Sequence, residues 1–301
     1  MIEAENIEDQ NGLRPDGRRA LELRQIRVKM GVFGQADGSA YIEQGNTKIL
    51  VTVYGPHQPR GSTGRNTSNI SKGIVNCQYS MAVFSLSSGE RKRKPRGDRK
   101  SQERSLQLKH AMEAIIHLEI YPRSQIDIYV EALQVDGSEY CVSVNGATLA
   151  LIDAGIPIKV IYKTTNILQF SLKKSFVIKF IATLFLQNYA IGCTVTLINN
   201  PSLEDEDNTL EKGVLDANYV EECTPGVTLS VVALPNNDST LKDGLIVVAQ
   251  GAGQRLHLSQ FESLKARVLY GCQDIRTILD HAVREYLTEQ SLPSLFHVAL
   301  N

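Results

Sequence analysis

The 301-residue sequence predicts an α+β fold in which sheets are covered by amphipathic helices. Three observations point there. The first half alternates apolar and polar residues with period two. Two later stretches place apolar residues three and four apart. Strand-like runs then return after residue 227, ahead of a long amphipathic stretch. Hydrophobic residues make up 42% and charged residues 22%, which is ordinary for a globular chain.

The elements follow in order. Ile26, Val28, Met30 and Val32 share one face, with Arg27 and Lys29 on the other, as in a half-buried strand. Residues 37–54 read as a hairpin turning at Gly45-Asn46, with Ile49, Val51 and Val53 on one face of its second arm. Val75, Cys77, Tyr79, Met81 and Val83 repeat the alternation, and all these strands carry the pattern of antiparallel pairing. From Ser101 to Leu118, Leu108, Met112, Ile115 and Ile116 form a helical stripe that Tyr121-Pro122 ends. Ile126, Ile128, Val130 and Ala132 are a further strand. A second helix, about Val142 to Ala154, stops at Gly155 with Pro157 beyond it. The second half is less regular until strands at residues 228–234 and 244–249. Ser259-Gln260-Phe261-Glu262 has capping-box spacing and opens a helix burying Phe261, Leu264, Val268, Cys272, Ile275 and Leu279.

One segment breaks the rhythm. Between Asp153 and Glu204 there is no acidic residue, and residues 160–187 are rich in Ile, Leu, Phe, Lys, Thr and Asn without period or turn signals. The chain therefore divides into a first half (residues 14–158), an insertion (159–188) and a second half (189–290). The insertion reads either as a surface addition or as translated A/T-rich non-coding sequence, a retained intron. Its apolar part, Phe176 to Cys193, is short and carries Lys179 near its centre, so no membrane span is expected. The acidic N-terminus lacks the apolar core of a signal peptide. Cys77, Cys141, Cys193, Cys223 and Cys272 are scattered with no metal-ligand spacing, so buried reduced thiols and no metal site are expected.

Charge is balanced overall, 32 Lys and Arg against 33 acidic residues, so any affinity for nucleic acid must be local. The local candidate is residues 91–100, where Arg91, Lys92, Arg93, Lys94, Arg96, Arg99 and Lys100 stand against one Asp. A basic Gly/Pro loop entering a helix N-terminus suits phosphates; a solvated charge run or nuclear-import signal is the alternative. Arg60 and Arg65, in a Gly/Ser/Thr-rich loop, would extend the same patch.

Several motifs together resemble the RNase PH family: Gly12-Leu13-Arg14-Pro15-Asp16-Gly17-Arg18, Asp37-Gly38-Ser39 through Gly45-Asn46-Thr47-Lys48, Tyr121-Pro122-Arg123-Ser124, and Asn145-Gly146-Ala147-Thr148 through Gly155-Ile156-Pro157. The likeness is greatest to the eukaryotic exosome ring subunit related to the archaeal catalytic subunit. It is dense over residues 12–158 and looser over 189–290. It implies the RNase PH fold, a βαβα sandwich of the ribosomal protein S5 domain 2-like kind. The implied role is in 3′-to-5′ RNA processing and decay, in nucleus, nucleolus and cytoplasm. Implied partners are other RNase PH-type ring subunits, RNA-binding cap subunits and single-stranded RNA, with no cofactor and no membrane.

Active members of the family hold phosphate on a Gly-Gly-Thr-Arg turn, helped by an Arg at a helix start. The matching residues here are Gly137-Ser138-Glu139-Tyr140 and Lys100. A phenol replaces the guanidinium, a carboxylate stands beside the phosphate position, and Lys100 lacks the bidentate fork. Of the family's two Asp residues six apart, Asp216 matches the second, and Leu210 stands where the first would be. The resemblance thus implies a vestigial site at Lys100, Gly137, Ser138, Tyr140 and Asp216 in a non-catalytic scaffold. An active phosphate-dependent exoribonuclease and a defective product are the alternatives.

Overall fold

The computed structural model describes residues 14–59, 72–87, 89, 91, 97–158, 189–198, 213–234 and 245–298, with side chains as far as residue 289 in the last helix. The insertion reading, residues 159–188, lies outside the described residues.

The first sheet is built from β1 (Ile26–Met30), β2 (Gly38–Gln44), β3 (Thr47–His57), β4 (Ile74–Met81) and β5 (Gln125–Gln134), in the order β1-β2-β3-β5-β4. Gln44 pairs with Thr47 across the Gly45-Asn46 turn, as the sequence predicts. β4 departs from the expected pattern. It pairs parallel to β5, because helix α1 (Arg99–Ile115) returns the chain to the start of the sheet between them. Alternation alone does not distinguish the two pairings. β4 also ends at Met81, leaving Val83 exposed in a turn.

The second sheet contains β6 (Ile191–Ile198), β7 (Val214–Leu215), β8 (Gly226–Leu234) and β9 (Leu245–Gly253), antiparallel in the order β7-β6-β8-β9. A short helix, α3 (Tyr219–Cys223), precedes β8, and α4 (Leu258–Val298) follows β9. The sequence-predicted stripe on α4 is buried apart from half-buried Phe261, and it extends to Val283. The Ser259 capping box does not form. The helix opens two residues earlier, His257 accepts the first helical bond from Phe261, and its amide donates to the Gln260 side chain at 3.3 Å. Four of the cysteines are buried and unpaired, whereas Cys223 is exposed. Among the described residues, no helix is long and apolar enough to cross a membrane.

Between the sheets runs α2 (Glu139–Asp153), whose residues from Glu139 to Leu151 are all buried. One side packs on Ile42 and Val51 of the first sheet, where Gly146 leaves room for close approach. The other side meets β6 at Gly192, where a β-carbon would fall 2.8 Å from the Cys141 α-carbon. A polar clasp fixes this contact: Asn145 donates to the Gly192 carbonyl at 3.1 Å and accepts from its amide at 2.7 Å. Thr148 adds a bond to the Ala190 carbonyl. On the far face of the second sheet, Gly271 of α4 packs against Cys193, and Tyr189 donates to Asp280 at 2.6 Å.

Truncating Asn145 to Ala leaves a buried amide and carbonyl without partners. The expected loss is about 2–4 kcal/mol of unfolding free energy, measured as a shift in denaturant midpoint at constant slope. An unchanged midpoint would show that the clasp contributes nothing.

Candidate functional site

The start of α2 opens on a cavity of about 180 Å³ lined by Arg104, Ser138, Glu139, Tyr140, Glu222 and Thr228, with Thr194, Ser230, Gln250 and Ala252 completing the wall. The turn that leads into it requires left-handed backbone. Gly137 has φ 79°, and a β-carbon there would lie 2.3 Å from the Ala217 carbonyl, so only glycine fits. Ser138 follows at φ 56° and starts the helix three residues earlier than the apolar pattern indicates. Glu139 and Tyr140 therefore sit in the first helical turn rather than in a loop.

Glu139 is the electrostatic centre of the cavity. Its carboxylate is buried, and Oε1 accepts Lys100 Nζ at 2.8 Å and Arg104 Nε at 3.3 Å. Burial pushes the carboxyl up, but the two cations outweigh it and hold Glu139 below the ordinary carboxylate range. Arg104, one helical turn beyond Lys100, also reaches Gln250 and lies 5.6 Å from the Tyr140 ring centre. The Tyr140 hydroxyl points away to the Gln107 carbonyl.

Across the cavity, Glu222 accepts the Ser138 amide at 2.7 Å. Burial raises its carboxyl; the amide bond opposes that, and the nearby Glu139 charge adds to it. Thr228 lies six residues on, in β8.

Asp216 is elsewhere. It is not on the cavity wall but is fully buried against Arg24, which donates from its main-chain amide and Nε (3.0 Å each) to Oδ2 and from Nη2 (2.6 Å) to Oδ1. Burial pushes its carboxyl up, yet the Arg24 guanidinium holds it below the usual range. The expected placement of Asp216 in the site is thus corrected: the residues six apart that face the cavity are Glu222 and Thr228, while Leu210 lies outside the described residues. Arg14, matched as part of a family motif, is also engaged in packing the chain together. Arg14 forms a buried two-pronged pair with Glu221 and donates to the Leu215 carbonyl at 2.8 Å.

Ser138 and Tyr140 line the cavity, Gly137 forms the turn before them, and Lys100 reaches the site through Glu139. The sequence reading missed Arg104 and Glu222. The i,i+4 spacing from Lys100 signals the first, and the six-residue spacing to Thr228 signals the second. Of the basic patch, Arg91 and Arg99 are exposed, while Arg60, Arg65, Lys92, Arg93, Lys94 and Arg96 lie outside the described residues. Lys100 is the exposed member of a pair with a buried acid rather than a free cation.

A family model described as the 3′ exoribonuclease family, domain 1, matches residues 22–157. The exosome complex component RRP41 of Homo sapiens is 41% identical over 292 residues, covering 97% of this chain and 98% of that protein. Among solved structures, rice (Oryza sativa) Rrp46 superposes with TM-score 0.64 at 19% identity, covering 91% of this chain and 100% of that one. A chain of the Archaeoglobus fulgidus exosome with RNA bound to the active site gives 0.63 at 17% identity, covering 90% and 94%.

The two buried acids predict opposite stability effects. Asp216→Asn leaves Arg24 unpaired and should cost about 3–5 kcal/mol at neutral pH. Because the folded Asp216 carboxyl titrates below its ordinary 3.8, its stabilisation is whole above that pH and is lost as pH falls through the folded value. Acid unfolding should therefore be flatter in the variant. Glu222 titrates above its ordinary 4.5, so ionising it costs stability as pH rises through the folded value. Glu222→Gln keeps the acceptor for Ser138 and should leave stability at pH 7 unchanged or raised. Denaturant midpoints across a pH series check both; a large loss in Glu222→Gln would overturn the assignment.

Proposed function

This chain belongs to the 3′ exoribonuclease, or RNase PH, family of exosome components, and we propose that it is a ring subunit of an RNA exosome that contributes scaffold and RNA channel but no phosphorolytic chemistry. The observation that carries this reading is Glu139. Phosphorolysis requires inorganic phosphate to be held in line with the last phosphodiester by cations and amides. Here the cations at the cavity, Lys100 and Arg104, already pair with a carboxylate of the same chain. Where the family carries two acids six apart, the cavity presents Glu222 and a hydroxyl, Thr228. A metal ion there would find one carboxylate, whose Oε1 already accepts an amide, so the donor set fits a divalent ion poorly.

One observation favours the active alternative. A buried carboxyl with a raised pKa, as at Glu222, is what a general acid requires for protonating a leaving 3′-oxygen. The deciding experiment is incubation of single-stranded RNA with phosphate and magnesium, using the purified chain and the assembled ring. The expected result is no nucleoside diphosphate from either beyond what the partner subunits release. Phosphate-dependent release by this chain, lost in Glu222→Gln, would establish the active reading instead.

The partners in this reading are other RNase PH-type subunits, RNA-binding cap subunits and single-stranded RNA. Arg60, Arg65 and the run from Arg91 to Lys100 would meet RNA through phosphates, because clustered Lys and Arg charge neutralises the backbone without fixing the geometry that base edges require. Exposed Arg91 and Arg99 are the suitable pair to reverse, since Lys100 also neutralises Glu139. With both changed to Glu, the assembled ring should bind RNA more weakly, with a shallower salt dependence and unchanged sequence preference. Wild-type affinity and slope across a salt series would assign the run to solubility or nuclear import.

A further inference from the structure

We infer that the outer face of the first sheet is a docking groove for an arginine-bearing segment of a partner protein, held by the Tyr54–Tyr129 pair and the carboxylates of Asp37 and Asp127.

The period of the strands creates this face. Ile49, Val51 and Val53 of β3 and Ile126, Ile128 and Val130 of β5 are buried, and α2 packs on Val51. Leu50, Thr52 and Tyr54 therefore point away from α2, as do Asp127 and Tyr129 beside them on β5. They line a groove of about 800 Å³ that shares no lining residue with the cavity at the start of α2.

Two features of the groove select its occupant. The first is aromatic. Tyr54 stands opposite Asp127 and Thr52 opposite Tyr129, so the two tyrosines meet on the diagonal, with ring centres 5.9 Å apart and planes at 74°. Each remains 37% exposed, which leaves ring surface on which a guanidinium can stack.

The second feature is charge. The described residues that line the groove include three carboxylates and one histidine but no Lys or Arg. Asp37 accepts the Gly55 amide at 2.8 Å. Asp127 accepts the Gln125 side-chain amide at 2.6 Å and lies 3.3 Å from His57 Nε2. Whereas the buried acids Asp216 and Glu221 have Arg24 and Arg14, these two are oriented by amides and an imidazole. On the same face Arg27 and Lys48 flank Glu43 of β2 and do not line the groove. A planar guanidinium satisfies both features, because it forks onto a carboxylate and stacks on a ring, whereas an ammonium does only the first, as a point charge. RNA phosphates would meet like charge here, so the occupant is a protein.

The test uses the full-length chain and fluorescein-labelled hexa-arginine, followed by fluorescence anisotropy. Binding should be saturable and at least about three-fold tighter than that of hexa-lysine, the gain expected of stacking. Asp37→Asn/Asp127→Asn keeps both acceptors and should weaken binding about five-fold. Tyr129→Leu should abolish the preference for arginine over lysine, and Tyr129→Phe should retain it. Glu285→Gln/Glu289→Gln, the same change of charge on exposed positions of α4, should leave binding unaltered. Absence of saturable binding, equal affinity for the two peptides, or an equal loss in the α4 variant overturns the inference. Single-stranded RNA bound in a manner that the Asp37/Asp127 variant abolishes would give the groove to nucleic acid instead. Self-association lost in that variant would give it to a second copy of this chain. None of these readouts involves phosphorolysis, so failure here leaves the ring-subunit reading standing.

Discussion

The site depends on Arg24. Its guanidinium pairs with buried Asp216 and donates to the main-chain carbonyls of Asp136 and Gly137 and to the Thr47 hydroxyl. One side chain thus joins the N-terminal arm, the β2–β3 hairpin, the turn into α2 and the segment before β8. Breaking such a pair by removing one partner strands a charge in a medium that solvates it badly, so the pieces are held together more by the cost of separation than by net attraction. The left-handed turn at Gly137 and Ser138, which aims α2 at the cavity, is anchored at that point.

What gives the cavity its polarity is the asymmetry of the second sheet. On β6, Ile191, Cys193, Val195 and Leu197 face α4 and its apolar stripe. Thr194 faces the opposite way, toward α2, where its hydroxyl meets Ser138. On β8, Thr228 and Ser230 continue the hydroxyl wall. Both faces are buried, but one is closed by oil-like packing and the other by hydrogen bonds. A fully apolar inner face would have let α1 and α2 collapse onto the sheet and would have left no room for charged groups at their ends.

That asymmetry also explains what the sequence revealed and what it hid. Elements with one wet face were legible: β1, the Gly45-Asn46 hairpin and the stripe on α4 all show their period plainly. β6 did not, because a strand buried on both sides loses the alternation that betrays it, and Gly192 interrupts it further. The apolar period places the start of α2 near Val142, because Glu139 and Tyr140 carry no apolar signal and the left-handed pair Gly137-Ser138 that starts the helix leaves none in the sequence. Asp216 attracted the site assignment by being an aspartate at a plausible motif position. Glu222 and Thr228, with the same six-residue spacing, line the cavity instead. Arg104 carried no local signal beyond its helical offset from Lys100, and its role depends on which way α1 faces. Charge partners two hundred residues apart cannot be read from a linear chain.

That separation has a consequence for how the protein is made. Arg14 and Glu221 are 207 positions apart and Arg24 and Asp216 are 192 apart, yet each pair is buried. During synthesis the N-terminal arm emerges first, and although Arg24 can reach Thr47, Asp136 and Gly137, the acids that neutralise Arg14 and Arg24 come only with the segment before β8. The first sheet and α1 can assemble early, because their pairings are comparatively local. The two arginines of the arm lack their buried acids until more than two thirds of the chain has been made. Joining the two halves through these pairs closes loops of about two hundred residues, an entropic cost that local pairings do not carry. Until it occurs, the turn that shapes the cavity lacks its anchor, so a truncated or stalled chain would carry a folded first sheet without a formed site.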